Sequence, residues 1–207
     1  MVPSALSRVQ RVASARVSTR WGDFDCVAYR DLVDGHEHLA FVNDPVGADT
    51  SIPPVVRLHS ECITGDVFGS ERCDCGEQLA NAMRIANAAE RGVVIYMRGH
   101  EGRGIGAAEK IRAYALQDKG LDTVEANLEL GFEADSRDFT AAAGILLDMK
   151  MPEVRLITNN PDKQKQIEAH GVTVVERVSA QIEPTSANLT YLRTKRDRLG
   201  HILDIEP

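Results

Sequence analysis

The chain has 207 residues with 43% hydrophobic content, which is enough to bury a sizeable core in one globular domain or in two tightly joined lobes. Acidic side chains outnumber basic ones by 31 to 24, which argues against a broad positive face for nucleic acid but leaves room for a small anion held by local arginines. No apolar run is long enough for a signal-peptide core or a membrane span, so we expect a cytoplasmic protein without membrane contact.

The amino-terminal part of the chain is predicted to be rich in strands. Polar and apolar residues partly alternate at residues 21–30, and the segments 38–42 and 55–59 are also typical of strands. Residues 1–20, which precede these strands, are expected to be flexible at the start of the chain.

From residue 75 onward, helices are predicted to alternate with short strands. Leu79, Met83 and Ala86 recur at helical spacing, and Gly92 is suited to end this helix before a buried strand at 93–97. The remaining predicted elements are a helix at 107–119, a helix containing residues 139–147, strands at 154–157 and 172–178 with a short helix at 163–169 between them, a loop at 179–188, and a last helix carrying Tyr191 and Leu192. The pattern predicts an α/β fold with a mixed sheet covered by helices, in a single domain over residues 1–207 that closes with a helix and tail at 185–207.

Three of the four cysteines, Cys62, Cys73 and Cys75, are close together in the sequence. A reducing compartment disfavours disulfides, so metal binding is the better interpretation of this cluster. Catalytic zinc sites use three protein ligands and leave a fourth position open, which fits three clustered thiols. Two alternatives remain: His59 completes a closed structural site, or the cysteines are merely buried and reduced. Cys26 stands alone in a strand pattern and is interpreted as a core residue.

The segment just before the first of these cysteines carries alternating polar side chains. Arg57, His59 and Glu61 would lie on one side of a strand. An exposed strand face is the simplest explanation. Because the strand leads directly into a predicted metal ligand, it can also hold a nucleotide with its reactive carbon next to the metal.

A glycine-rich segment at residues 98–106 lies between a predicted strand and a predicted helix. Backbone N–H groups at such a position favour a phosphate, and Arg98 and Arg103 add positive charge. Glu101 has a carboxylate that can accept hydrogen bonds from the two adjacent N–H groups of guanine. The same segment loosely matches the dinucleotide pattern as Gly102-x-Gly104-x-x-Ala107, with Asp122 and Glu125 about 20 residues on, so a nicotinamide-dependent oxidoreductase and a purely structural turn are both alternatives.

Together these motifs resemble the GTP cyclohydrolase II family over nearly the whole chain, from Trp21-Gly22-Asp23-Phe24 to Gly200-His201. The matching motifs are Arg57-Leu58-His59-Ser60-Glu61-Cys62-Ile63-Thr64-Gly65-Asp66, Arg72-Cys73-Asp74-Cys75-Gly76, Glu101-Gly102-Arg103, Lys110-Ile111-Arg112-Ala113-Tyr114-Ala115-Leu116-Gln117, Asp122-Thr123-Val124-Glu125-Ala126-Asn127, Ala134-Asp135-Ser136-Arg137-Asp138-Phe139 and Thr158-Asn159-Asn160-Pro161.

The resemblance implies a hydrolase that converts GTP to formate, pyrophosphate and 2,5-diamino-6-ribosylamino-4(3H)-pyrimidinone 5′-phosphate, the first step of riboflavin biosynthesis. It implies that Cys62, Cys73 and Cys75 hold one zinc ion per subunit, which activates water toward carbon 8 of the purine, and that magnesium accompanies the triphosphate. Arg137 would be the nucleophile toward the α-phosphorus and Asp135 its acid–base partner, while Tyr114 would assist ring opening. The implied GTP-binding residues are Arg57, Leu58, His59, Ser60, Glu61, Gln78, Glu101, Gly102, Arg103, Thr123, Thr158 and Lys163.

Some positions depart from the family pattern, including Gly99-His100, Ala107-Ala108-Glu109 and Asp162, but none of these is a proposed chemical residue. The departures leave open a paralogue that uses a guanine nucleotide in another pathway. The dihydroxybutanone phosphate synthase domain that is fused to some family members is not found in this sequence, so we expect the chain to act alone or as a homodimer.

Overall fold

The computed structural model describes residues 4–205. These residues divide into two compact units, of which unit one comprises residues 4–59, 79–98 and 138–180, and unit two comprises residues 60–78, 99–137 and 181–205. The strands are β1 (Val9–Thr19), β2 (Gly22–Asp31), β3 (Glu37–Asn43), β4 (Val55–Ser60), β5 (Gly92–Met97), β6 (Glu153–Ile157) and β7 (Thr173–Val178). The helices are α1 (Ala5–Arg8), α2 (Ile63–Asp66), α3 (Cys75–Ala88), α4 (Ala107–Gln117), α5 (Thr123–Glu129), α6 (Thr140–Asp148), α7 (Pro161–Glu168) and α8 (Leu189–Leu199), with a 3-10 turn at Glu101–Arg103.

Unit one is built on a seven-stranded sheet in the order β1-β2-β3-β5-β4-β6-β7. The first three strands form an antiparallel meander that continues antiparallel from β3 to β5, whereas β4, β6 and β7 pair in parallel. Parallel neighbours need a crossover connection, and α7 supplies it between β6 and β7. The predicted α/β fold with a mixed sheet is therefore confirmed.

The core of unit one packs α6 against the sheet. Tyr29, Leu58, Ile95 and Leu146 are fully buried in this cluster. Helix α6 is apolar almost all round, as expected for a helix enclosed by other elements. Gly144 on this helix lies so close to α1 that a Cβ would be 2.1 Å from the carbonyl oxygen of Ala5, so the packing of α1 requires glycine there.

Most predicted elements lie where the sequence places them, but the amino-terminal segment differs. Strand β1 pairs with β2 along Val9–Thr19, where a flexible start was expected. Its side chains are mostly exposed and show no alternation. Backbone hydrogen bonds to β2, and not a buried face, stabilise this strand. The parts of the expected start and tail at residues 1–3 and 206–207 lie outside the described residues.

Unit two contains the helices α2, α4, α5 and α8. Helix α5, which the sequence pattern did not predict, begins with a capping box in which Asp122 accepts from the backbone N–H of Glu125 and the Glu125 side chain accepts from that of Asp122. Helix α8 confirms the predicted last helix and ends at Gly200 in the left-handed conformation. Across both units, none of the helices in the described part of the chain is long and apolar enough to cross a membrane.

Candidate active site

The three clustered cysteines meet in unit two. The Sγ atoms of Cys62, Cys73 and Cys75 all lie within 4.8 Å of one another, and those of Cys62 and Cys73 are 3.7 Å apart. Tetrahedral zinc with sulfur ligands at about 2.3 Å separates two sulfurs by about 3.8 Å. Within the described part of the chain, these three cysteines lie close enough together to hold one metal ion, and their spacing fits zinc.

The backbone reaches this arrangement by a close approach of two glycines. Cys62 precedes α2, where its N–H donates to Asp66 Oδ2 at 3.0 Å, and Cys75 begins α3. A Cβ on Gly76 would lie 2.4 Å from the carbonyl oxygen of Gly65, and a Cβ on Gly65 would lie 2.9 Å from Cys73 Sγ. Glycine at both positions therefore allows the two cysteine segments to meet. This close approach explains why residue 76 is a glycine.

A buried ammonium lies beside the thiols. Lys110 Nζ, on α4, donates to Cys62 Sγ at 3.1 Å and to Glu101 Oε1 at 2.5 Å, and Lys110 and Glu101 are both buried. Hydrogen bonds from the other two thiols and the charge of Lys110 lower the pKa of Cys62. The neighbouring Cys62 thiolate and burial raise the pKa of Cys75. One thiolate is thus already stabilised by the protein, and a divalent cation would stabilise all three.

Glu101 is tied into the site through both carboxylate oxygens. While Oε1 accepts from Lys110, Oε2 accepts from the backbone N–H of Ile63 at 2.6 Å. Each oxygen keeps a second lone pair, so the predicted pairing with guanine is compatible with these bonds. The contacts show in addition that Glu101 fixes the segment that follows Cys62.

Tyr114, also on α4, lies near the same cysteine. Its hydroxyl is 3.5 Å from Thr64 Oγ1, and the guanidinium of Arg72 lies over its ring at 4.6 Å from the centroid. Burial raises the pKa of the Tyr114 phenol. The phenol is therefore protonated at neutral pH and can donate a hydrogen bond.

Asp135 and Arg137 form a fork-shaped ion pair. Arg137 Nε donates to Asp135 Oδ1 at 2.8 Å and Nη2 donates to Oδ2 at 2.5 Å, while Nη1 donates to Ser60 Oγ at 3.2 Å. Both residues lie in the irregular segment before α6. Burial alone would raise the pKa of Asp135, but the hydrogen bonds and charge of Arg137 outweigh it and hold the pKa below its usual range.

Arg103 and His201 present nitrogens to the interior of unit two. Arg103 is 9% exposed, and within the described residues its Nη1 and Nη2 atoms donate no hydrogen bond. The same holds for Nδ1 of His201. Burial and the positive charges of Lys195, Arg137 and Arg103 lower the pKa of His201 to about 3. Buried guanidinium groups without partners are suited to an anionic ligand.

Five of the predicted GTP-binding residues belong to unit one. The ammonium of Lys163, on α7, donates to the carbonyl oxygen of Leu58 at 2.7 Å, and Arg57 Nη1 donates to that of Ile157 at 3.0 Å. The ring of His59 stacks on Tyr96 with centroids 5.5 Å apart. Thr158, the fifth, is buried and follows β6. Strands β4 and β6 are neighbours, so these residues are grouped at one end of the parallel part of the sheet.

The remaining predicted GTP-binding residues lie in unit two. Ser60 Oγ is 3.1 Å from His100 Nδ1, and Glu61 Oε2 accepts from the backbone N–H of Gly99 at 2.9 Å. The side chain of Gln78 donates to Asp74 Oδ2 at 2.5 Å. Gly102 has a positive φ of 60°, and Thr123 is the first residue of α5. Cys26, which was interpreted as a core residue, lies in β2 of unit one and is only half-buried.

Sequence reasoning gave no individual role to three polar residues that lie beside the cysteines. Lys110 bonds the Cys62 thiol, and Lys195 and Asp74 form a buried ion pair at the Cys73–Cys75 turn. A lysine on an amphipathic helix is ordinarily predicted to be exposed, and no sequence signal links it to a partner far along the chain. Only the tertiary structure brings these residues together.

Comparison with known proteins adds independent findings. The sequence model of the family described as GTP cyclohydrolase II matches residues 10–179. The chain is 55% identical over 197 residues to the Riboflavin biosynthesis protein RibBA of Rhodococcus jostii, 54% identical over 196 residues to that of Salinispora tropica, and 50% identical over 198 residues to that of Chlamydia muridarum. These matches cover 94%, 95% and 96% of this chain but 47%, 48% and 46% of the relatives. The chain therefore spans about half the length of the curated relatives that it matches.

Proposed function

The chain belongs to the GTP cyclohydrolase II family, and on this basis we propose that it hydrolyses GTP to formate, pyrophosphate and 2,5-diamino-6-ribosylamino-4(3H)-pyrimidinone 5′-phosphate, the first step of riboflavin biosynthesis. The observation that carries the proposal is the presence, in unit two, of three thiols within 4.8 Å of one another together with the Arg137–Asp135 fork. One group suits hydrolysis of the ring, and the other suits chemistry at a phosphate.

Cys62, Cys73 and Cys75 would hold zinc. The spacing of their Sγ atoms and the lowered pKa of Cys62 support this assignment. When bound, zinc supplies Lewis-acid activation of water for attack on carbon 8 of guanine. We also assign magnesium to the triphosphate, where it would neutralise the departing pyrophosphate.

The ring-opening half of the reaction uses residues of helix α4. Lys110 offsets the negative charge of Cys62 and holds Glu101 in place. Tyr114, whose pKa is raised by burial, donates a proton or a hydrogen bond to the nitrogen that departs as the ring opens. Glu101 orients guanine by accepting from its N–H groups through lone pairs that the protein leaves open.

The phosphate half uses Arg137 and Asp135. A guanidinium nitrogen of Arg137 forms a bond to the α-phosphorus, the bond to the pyrophosphate oxygen breaks, and Asp135 accepts the proton that the nitrogen loses. Water then hydrolyses the nitrogen–phosphorus bond and Arg137 regains a proton. The lowered pKa of Asp135 keeps it a carboxylate at neutral pH, as a proton acceptor must be.

The residues that we assign to GTP binding are those that match the family's set. Arg103 and Ser60 belong to unit two, while Arg57, Thr158 and Lys163 belong to unit one. The family match over residues 10–179 includes both groups, which supports a single catalytic domain. We further propose that the enzyme is cytoplasmic and acts as a homodimer.

The test compares GTP with ATP. The zinc-loaded chain is incubated with each nucleotide and magnesium, with and without a chelator, and nucleotide loss is followed by chromatography and absorbance. We expect GTP to be consumed, ATP to be left intact, and the ring-opened product to disappear with the chelator. Equal consumption of ATP, or intact GTP, would contradict the proposal.

A further inference from the structure

Helix α8 is joined to the turn at Cys73-Asp74-Cys75, the metal-binding turn, by a buried ion pair. Lys195 Nζ donates to Asp74 Oδ1 at 2.9 Å, and the side chains of Lys195 and Asp74 are 10% and 1% exposed. The ammonium also lies 4.8 Å from the centroid of the Tyr191 ring, one turn earlier on the same helix. The pair spans 121 positions in the sequence.

Asp74 is the single residue between two metal-ligating cysteines. Its second oxygen, Oδ2, accepts from Gln78 Nε2 at 2.5 Å, so both carboxylate oxygens are held. The carboxylate stands between two residues that become negative when they bind a metal, Cys73 and Cys75. A buried cation at this point offsets charge repulsion within the turn and fixes its backbone.

Exposed ion pairs contribute little to protein stability, because water screens them and the side chains lose entropy. The Lys195–Asp74 pair is different because both side chains are almost fully buried. Removing one partner of such a pair leaves the other in a medium that does not solvate it. We therefore expect loss of Lys195 to loosen the turn that carries Cys73 and Cys75.

We propose that Lys195 is a positioning residue of the metal centre: its ammonium fixes the Cys73-Asp74-Cys75 turn through Asp74, and helix α8 is thereby part of the zinc site. The inference rests on the proposed zinc function of the three thiols. It extends that function to a segment beyond residue 179, where the family match ends.

The first measurement is zinc affinity by competition with a chromophoric chelator, in the full chain and without GTP. Groups that support metal ligands typically change metal affinity about 10- to 100-fold when they are removed, and we expect a loss in this range for Lys195→Met. Lys195→Arg keeps the charge and should stay within about threefold of wild type. Wild-type affinity in Lys195→Met would overturn the inference.

The matched control is Arg198→Met, which removes a cation from the same helix. Arg198 pairs with Asp122 at 2.6 Å, away from the metal-binding turn. We expect zinc affinity to be unchanged in this variant. An equal loss in Arg198→Met and Lys195→Met would mean that α8 acts only through general stability, and this outcome also overturns the inference.

A second measurement works on the metal-free chain. Hydrogen exchange of the peptide that contains residues 73–78 should be faster in Lys195→Met than in wild type or Arg198→Met, because the turn opens more readily. Unchanged exchange would contradict the role of Lys195. A chain that binds zinc in this Lys195-dependent way but leaves GTP intact would overturn the proposed activity alone, whereas a wild-type chain without zinc affinity would overturn both.

Discussion

Arg137 donates two parallel hydrogen bonds to Asp135, from Nε to Oδ1 at 2.8 Å and from Nη2 to Oδ2 at 2.5 Å. The third nitrogen, Nη1, donates to Ser60 Oγ at 3.2 Å. The planar guanidinium is therefore held in one orientation, as a nucleophile aimed at phosphorus requires.

Arg137→Lys should lose pyrophosphate release, because a lysine keeps the charge but cannot form the fork. Misplacing a reacting group costs about 100-fold in rate, and we expect at least this loss. Zinc content should remain at the wild-type level. Arg196→Lys, which changes an arginine paired with the exposed side chain of Asp197, serves as the control and should keep full activity. Pyrophosphate release at the wild-type rate in Arg137→Lys would refute the assignment of the nucleophile.

The pKa of Asp135 predicts a pH dependence of stability. Burial would raise this pKa, but Arg137 lowers it further than burial raises it. A carboxylate with a lowered folded pKa stabilises the protein above its unfolded pKa of about 3.9, and the contribution is lost as pH falls through the folded pKa. The difference in free energy of unfolding between wild type and Asp135→Asn should therefore be constant from about pH 7 to pH 5 and shrink below about pH 4.

Urea denaturation of both proteins across this range measures the difference. If the difference instead falls as pH rises from about pH 5 to pH 7, the carboxyl has a raised pKa and is protonated near neutrality. Asp135 would then already carry a proton before the reaction begins, and the proposed proton transfer from Arg137 to Asp135 would be wrong.

Lys110→Met should destabilise the metal-free chain, because it removes the buried cation from Glu101. Breaking one side of a buried pair costs about 3–5 kcal/mol, and we expect the free energy of unfolding to fall by about 3 kcal/mol. Arg112→Met on the same helix removes a cation whose side chain is 70% exposed and is expected to cost about 0.5 kcal/mol or less. Urea denaturation compares the two variants. Equal small effects would show that the Lys110–Glu101 pair contributes no more than a surface pair.

Tyr114→Phe separates the two halves of the reaction. Loss of the phenolic hydroxyl removes a proton donor near the cysteines, and general acid–base catalysis typically contributes about 100- to 10,000-fold. Formate release should fall within this range, whereas pyrophosphate release, measured in the same reaction, should persist. A parallel loss of both products would mean that Tyr114 supports binding or folding instead of ring opening.

Much of the fold could be predicted from residue patterns. The apolar run of α6 reflects burial on nearly all sides and the alternation in β2 reflects one buried face, so sequence alone predicts both elements. Strand β1 was missed because its exposed side chains carry no pattern, and only its ladder with β2 defines it. Helix α5 was missed although its capping residues, Asp122 and Glu125, are a local signal that could have been recognised.

The site was predicted to the extent that its residues form contiguous motifs. The cysteine cluster is confirmed as a spatial group, whereas the roles of the GTP-binding residues remain predictions. Lys110 and Lys195 could not be found in this way, because their partners lie 48 and 121 positions away and a charged helical residue is ordinarily exposed. Only the fold shows that these two lysines are buried next to the cysteine cluster.

The most direct test of the central claim is the stoichiometry of products from GTP. The zinc-loaded chain is incubated with GTP and magnesium, and formate, pyrophosphate and the pyrimidine phosphate are quantified by mass spectrometry in one reaction. We expect the three products in equal amounts. Intact GTP, or pyrophosphate released without formate, would contradict it.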